Sequence, residues 1–316
     1  MTASNSVGIV GLGLMGSALT ERLIGAGLGV AGFDVDAEKQ RAWRRLGGSG
    51  AASLEEVAGL CDAIFLTVFD TAQVEQVVES GLLPAAGPGS GKIILCASTC
   101  DPDRIDALAR RMAPHGIHLL DTPISGTSNQ VRQGRGVALV GGDAGKLDEV
   151  ARILDAVFSS YFHTGPAGSA GRTKLAINLI LGLNRLALAE GLVFAERLGL
   201  EPARFLEVAR QAASYSQVMD TKGPKMVRGD FSAEGRARQT LKDVELMLAQ
   251  ARKVGQNLPL ARLNAEVLRA CVRNGEGDQD NSIVINEIRR RVEPVSRDDS
   301  GFCMRDDSAG EFTSSV

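Results

Sequence analysis

The sequence predicts an α/β N-terminal half, a mostly parallel sheet with helices on both faces, followed by an all-α unit joined to it through one long helix. Three observations carry that expectation. From Val7 to about Gly165, short runs that are apolar throughout alternate with amphipathic stretches. Such runs belong to strands buried on both faces, and their alternation with helices makes the sheet parallel. Beyond Gly165 the apolar spacing is helical throughout. The chain has 316 residues, about twice a domain of roughly 150, so two domains are expected. Their boundaries read as 1–164 and 165–292, with 293–316, holding five Ser, four Asp and little apolar content, as a disordered tail.

In order, 7–10 reads as a strand, 17–26 as a helix and 29–34 as a second strand. Ser53-Leu-Glu-Glu56 opens a short helix as a capping box, Ser53 bonding the third amide and Glu56 reaching back. Residues 63–69 and 92–97 are further apolar strands, and 118–122, 136–140 and 159–163 complete the sheet. The long helix covers 171–198; Gly199 ends it, and Pro202 sits where the next helix starts.

Composition narrows the function classes. Thirty-five Lys and Arg against 38 Asp and Glu leave a net charge of -3, with no basic surplus for nucleic acid or an anionic membrane. A 4% aromatic content with one Trp gives little for a base-stacking platform. Cys61, Cys96, Cys100, Cys271 and Cys303 are odd in number and lack C-x-x-C spacing, which argues against disulfides and structural zinc. Three histidines (His115, His118, His163) cannot form H-E-x-x-H, and no metal is expected. The first six residues show no basic or apolar leader, so no signal peptide is expected. The most apolar stretch, 175–200, is broken by Asn178, Asn184, Arg185, Glu190, Glu196 and Arg197. It reads as a packed helix rather than a membrane span. A soluble, cytoplasmic protein is the expectation.

Gly11-Leu12-Gly13-Leu14-Met15-Gly16 fits G-x-G-x-x-G. The spacing alone is weak; its place between an apolar strand and a helix, with Asp34 ending the next strand 18 residues after Gly16, makes it a dinucleotide turn. Gly11 makes the tight turn, Gly13 admits a pyrophosphate, and Gly16 lets the helix pack on the sheet with its N-terminus facing the phosphates. The N-terminal domain is therefore expected to be Rossmann-like. A carboxylate at Asp34 can bond both ribose hydroxyls and repels a 2′-phosphate, favouring NAD. Arg41 and Arg44 leave NADP open. A plain helix cap would also explain Asp34, although Asp36 can fill that role. The loops 89–92 and 142–146 lack the first Gly and the Ser or Thr of a phosphate loop, and read as turns.

Three more constellations follow. Ser98-Thr99 lies at the carboxyl edge of the sheet, where open α/β sheets bind ligands. Asp121-Thr-Pro-Ile-Ser125-Gly126 ends another strand and can form a small anion-binding nest. Lys174 and Asn178, four apart on one helix face, follow a Gly-rich interdomain turn and are placed to meet substrate in a cleft. Taken singly, an isolated helical Lys is usually solvated and Ser-Gly is usually a turn.

Together with Lys242-Asp243, these motifs resemble the β-hydroxyacid dehydrogenase family, over about residues 6–290 in order and spacing. That family includes 3-hydroxyisobutyrate dehydrogenase and short relatives of 6-phosphogluconate dehydrogenase. The resemblance implies a dimer or tetramer oxidising a small β-hydroxy acid with NAD(P). It makes Gly11, Leu12, Gly13, Leu14, Met15 and Gly16 the cofactor turn, with Val68, Thr99 and Lys242 also beside the cofactor. Ser125, Gly126 and Thr127 become the substrate-carboxylate loop, Lys174 the catalytic lysine and Asn178 the substrate-orienting asparagine. Lys242 would stand near substrate too. Two departures stand out: Thr127 replaces the second Gly of the usual Ser-Gly-Gly, and Ile177-Asn178 keeps only the second Asn of a pair.

On that reading Lys174 is the general base for the hydroxyl proton, and acid in the reverse direction. Desolvation would bring its pKa down from about 10.4 toward the working pH. Ser125 and the amides of Gly126 and Thr127 would grip the carboxylate. The alternatives are an imine reductase on the same architecture, where the lysine is commonly replaced, and a non-catalytic NAD(H)-binding protein. Tyr215, Gln217, Met219 and Lys222 fall where a substrate lining could lie.

Overall fold

The computed structural model describes residues 6–87 and 89–293. Nine strands are present among the described residues: β1 (Ser6–Val10), β2 (Gly29–Phe33), β3 (Ser49–Gly50), β4 (Ala63–Leu66), β5 (Lys92–Cys96), β6 (Ile117–Asp121), β7 (Ile124–Ser125), β8 (Val137–Gly141) and β9 (Ser160–Gly165). They form one sheet in the order β3-β2-β1-β4-β5-β6-β8-β7, with β9 beside β8. The pairings from β3 across to β6 are parallel. β8 runs antiparallel to β6 and β7 and parallel to β9. The expected strand at 63–69 stops at Leu66, because the chain turns there into the cleft.

Why these residues build a two-faced sheet is visible in their side chains. Ile9, Phe65 and Leu95 pack into one hydrophobic cluster, while Val10, Ile64, Leu66 and Ile94 pack into another. Period-two alternation thus feeds both faces from strands that are apolar throughout. The chain's one Trp, Trp43, donates its indole N–H to Thr20 at 2.6 Å. Its ring leaves no room for a Cβ at Gly32 or Gly48.

The helix after β1 spans Leu14–Gly25, three residues earlier than expected, since the turn needs only Gly11 to Gly13. Ser53 caps Leu54–Leu60 through the Glu56 amide at 3.3 Å. The return bond differs from the expected box: Glu56 accepts from Ala52 N at 2.6 Å, not from Ser53.

Past β9 every named element among the described residues is helical. The central helix, Ser169–Arg197, begins where the buried Asp121 carboxylate at the end of β6 accepts the Gly171 amide at 2.7 Å. It ends before Gly199, whose φ of +80° suits only glycine. Pro202–Gln211 follows with Pro at its first position. Ala237–Lys253, Pro259–Arg273 and Val284–Arg290 pack around the central helix to enclose a separate core that includes Leu192, Val244, Met247, Leu268 and Ile285. The central helix is long and apolar enough to cross a membrane, yet it buries Lys174 and Arg185 along its length. The expected tail at 293–316 lies, except for Glu293, outside the described residues.

Candidate active site

The order of strands reverses at β1, whose neighbours β2 and β4 lie on opposite sides. At such a switch point the loops leaving adjacent strands diverge and open a crevice at their carboxyl ends. The crevice here is closed from above by the central helix and by Ala237–Lys253. It forms a cleft of about 1540 Å³ lined from both halves of the chain. That exceeds the roughly 300–1,000 Å³ of a single small-ligand pocket.

At one end lies the glycine turn. Gly11 has φ +95°, and a Cβ there would stand 2.7 Å from the Thr67 carbonyl. A Cβ on Gly16 would run into the Gly11 carbonyl, so Gly16 serves helix packing and does not line the cleft. At Gly13, by contrast, a Cβ would meet nothing within 4 Å. Open space therefore stands directly before the first turn of Leu14–Gly25, whose N-cap offers no side chain. Exposed amides at the positive end of a 12-residue helix fit a pyrophosphate. Gly11, Gly13, Leu14, Met15, Val68 and Thr99 all line the cleft. Leu12 does not: its side chain is buried in the sheet core and its amide donates to Asp34 Oδ2 at 2.8 Å. Leu12 therefore presents neither side chain nor free N–H to a ligand, which corrects its place among the cofactor contacts.

Asp34 lines the same end and is 7% exposed. Besides the Leu12 amide it accepts Asp36 N at 2.9 Å, so both oxygens are held in fixed directions. It is not the helix cap; Asp36 caps Ala37–Arg44. The cation nearest this end is Lys39, 3.7 Å from Asp34 Oδ2. Arg41 pairs with Glu38, and neither Arg41 nor Arg44 lines the cleft.

At the other end Ser125, Gly126, Thr127, Lys174 and Asn178 come together. Thr127 caps Ser128–Arg132 in a full capping box with Gln130. Its amide donates to Gln130 Oε1 at 2.8 Å, and its hydroxyl accepts from Gln130 N at 3.2 Å. The Thr127 amide is thus taken, a correction to the expectation that it grips a carboxylate. Ser125 and Gly126 remain for that task. Ser98 is also turned inward, its hydroxyl donating to the Val68 carbonyl at 2.8 Å.

Lys174 is 6% exposed and makes no hydrogen bond or ion pair among the described residues. Burial pulls its pKa from 10.5 down to about 8, with the Asp243 charge opposing the shift. One turn along, Asn178 donates from Nδ2 to Asp243 Oδ2 at 3.5 Å. Its Oδ1 is buried with no partner. A buried ammonium and an orphaned carbonyl oxygen on one helix face are costly unless a ligand meets them. Lys242 pairs with Asp243 Oδ1 at 3.1 Å and donates to the Thr99 carbonyl, tying the helical half to the strand-end loop. It also stands 5.7 Å from the Phe69 ring centroid.

Two residues were not singled out by sequence. Asp243, whose own pKa is raised by burial, faces Lys242, Lys174 and Arg185; in the sequence the Lys-Asp pair draws the eye only to its lysine. Arg185, on the Lys174 helix, is buried and lines the cleft. A charge inside an apolar helical run, in register with Lys174 and Asn178, was the available signal. Of the four lining candidates, Gln217 and Lys222 line the cleft. Met219 is buried in the helical core, and Tyr215 is exposed, bonded to Asp220. The histidines lie away from the cleft, His163 bonding the Gly142 carbonyl at 2.9 Å.

Comparison with known proteins matches the two halves to a pair of family patterns. Residues 6–165 match the NAD-binding domain of 6-phosphogluconate dehydrogenase. Residues 168–288 match the pattern described as the NAD-binding unit of NADP-dependent 3-hydroxyisobutyrate dehydrogenase. Among curated relatives, glyoxylate/succinic semialdehyde reductase 2 of Arabidopsis thaliana is 29% identical, over 90% of this chain and 79% of its own. A 3-hydroxyisobutyrate dehydrogenase-like protein of the same plant is 31% identical, over 90% and 93%. Among solved structures, 3-hydroxyisobutyrate dehydrogenase from Salmonella typhimurium superposes with a TM-score of 0.82 at 28% identity. It covers 89% of this chain and 99% of its own.

Proposed function

The chain belongs to the β-hydroxyacid dehydrogenase family, and from that premise we propose that it interconverts a small 3-hydroxy acid and its carbonyl form, with Lys174 as the proton-transfer group. It is an NAD(P)-dependent oxidoreductase of the class acting on CH–OH. The observation that carries the lysine's role is the pairing of a buried, partnerless Lys174 with the orphaned Oδ1 of Asn178 in the cleft the glycine turn opens onto.

A bound nicotinamide would supply the two-electron acceptor for hydride from the carbinol carbon. The chain's own residues do the rest. Ser125 and Gly126 hold the carboxylate. Asn178 Oδ1 accepts from the substrate hydroxyl or from the ammonium, fixing the line between them. Neutral Lys174 Nζ takes the hydroxyl proton in oxidation; the ammonium returns it in reduction. Asp243 balances the charge Lys174 acquires, and burial keeps water from competing.

NAD is the favoured cofactor, because the fixed Asp34 carboxylate faces the ribose end of the cleft. Lys39 is the one lysine lining that end, and would be the partner of a 2′-phosphate in place of Arg41 or Arg44. The exposed apolar residues Ile180, Phe194, Leu198 and Val208 support assembly into a homodimer or homotetramer through the helical half. The test is reduced-nicotinamide absorbance with NAD and NADP separately, across 3-hydroxy acids and their aldehydes. NAD-dependent turnover is expected. NADP-only turnover would reverse the Asp34 assignment, and tight NADH binding with no turnover on any member would overturn the dehydrogenase reading.

A further inference from the structure

Arg185 is 5% exposed and lines the cleft, yet its guanidinium makes no hydrogen bond and no ion pair among the described residues. Such a group has five N–H donors in a fixed fork, and leaving them unmet in a buried site is costly. Its pKa is lowered by burial to about 10, the Asp280 and Asp243 charges opposing the fall from a distance. Neither carboxylate serves it directly: Asp280 is taken by Lys222 at 2.9 Å, and Asp243 by Lys242 and Asn178.

Its position is specific. Residues 174, 178, 182 and 185 lie along one helix face. The guanidinium reaches back toward the helix N-terminus, so that Nη2 comes within 3.7 Å of where a Cβ at Gly182 would stand. The Asn264 amide nitrogen, from Pro259–Arg273, is 3.0 Å from that same point. Asn264 is 3% exposed and its side chain likewise makes no hydrogen bond among the described residues. The cleft-lining guanidinium therefore stands beside a cleft-lining glycine one turn, about 6 Å, beyond Asn178.

We infer that Arg185 receives a second carboxylate of the substrate, so that the 3-hydroxy acid this enzyme works on is a dicarboxylate. The inference rests on the dehydrogenase reading for which carbon reacts, but not for the receptor itself. The first carboxylate sits at Ser125 and Gly126, the hydroxyl at Lys174 and Asn178, and the second carboxylate in the planar fork of Arg185, which can grip it through two parallel bonds. A five-carbon diacid with its hydroxyl at the middle carbon has that layout.

The test titrates glutarate and pentanoate, equal in carbon number and unreactive, into the full chain with saturating NADH, by calorimetry. Glutarate should bind at least tenfold more tightly. Arg185→Met should erase that margin while leaving pentanoate within about twofold, and Arg185→Lys should restore part of it. Equal binding by the unaltered chain would overturn the proposal, as would a glutarate preference that survives Arg185→Met. Loss of both ligands together in Arg185→Met and Arg185→Lys would also overturn it, making Arg185 a structural counter-ion for Asp243 and Asp280. In turnover, kcat/KM for 3-hydroxyglutarate should exceed that for 3-hydroxypentanoate and fall selectively in Arg185→Met. If no 3-hydroxy acid of the panel is oxidised while the glutarate preference stands, the dehydrogenase reading fails and the receptor remains.

Discussion

Lys174 has no side-chain partner among the described residues, and burial lowers its pKa. A fall from 10.5 to about 8, at ~1.4 kcal/mol per unit, amounts to about 3 kcal/mol against the folded state wherever the unfolded lysine is charged. The unfolded chain binds this proton more tightly, so the penalty is full below pH 8 and fades as pH rises toward 10.5. Lys174→Met should therefore melt higher than the unaltered protein at pH 7, and the gap should close near pH 10. The same shift sets the rate profile. Oxidation needs the neutral amine and should rise with pH to a plateau above about 8, whereas reduction needs the ammonium and should decline there. An oxidation rate flat from pH 6 to 9 would separate Lys174 from the rate-limiting proton transfer.

Within single elements, the three glycines of the turn do different work, and substitution separates them. Gly16→Ala places a methyl against the Gly11 carbonyl and should cost about 1–3 kcal/mol of stability, read by denaturant unfolding. Gly13→Val adds atoms to open space and should leave stability within about 0.5 kcal/mol while weakening NADH binding at least tenfold. This turn was legible in the sequence because its physics is local: strand, glycine spacing and helix lie within a dozen residues. Lys174 with Asn178 was legible for the same reason, as neighbours on one helix. The Thr127 box was not, because Gln130 had no reason to stand out until the five-residue helix it closes was seen. Leu12 fell within the fingerprint, yet the carboxylate that claims its amide comes from the next strand.

For the whole molecule, the site depends on how the two halves meet. Lys242 to Thr99, Lys253 to Asp103 at 2.7 Å, Arg172 to Asp103 at 2.8 Å and Asn129 to Glu234 at 3.0 Å all cross between them. Sequence spacing is silent on such contacts, which is why Asp243 stands out only in the fold, where the charges it faces come from more than one helix. Asp121 anchors the first turn of the central helix to the sheet, and burial raises its pKa to about 6. Here the folded state holds the proton more tightly than the unfolded one, so this group's contribution is present below pH 3.8 and is lost as pH rises to 6. Asp121→Asn keeps an acceptor for the Gly171 amide without that charge. It should match the unaltered protein in stability near pH 4 and exceed it by about 3 kcal/mol at pH 7. Parallel stability curves across that range would mean the carboxylate is already ionised without cost.

The central claim, that Lys174 carries the proton in a cleft the cofactor turn opens onto, is tested most directly by Lys174→Ala measured two ways on the same preparation. Turnover of the best 3-hydroxy acid should fall at least a hundredfold, while NADH binding, followed by its fluorescence, stays within about twofold. Turnover undiminished in the variant would contradict the account.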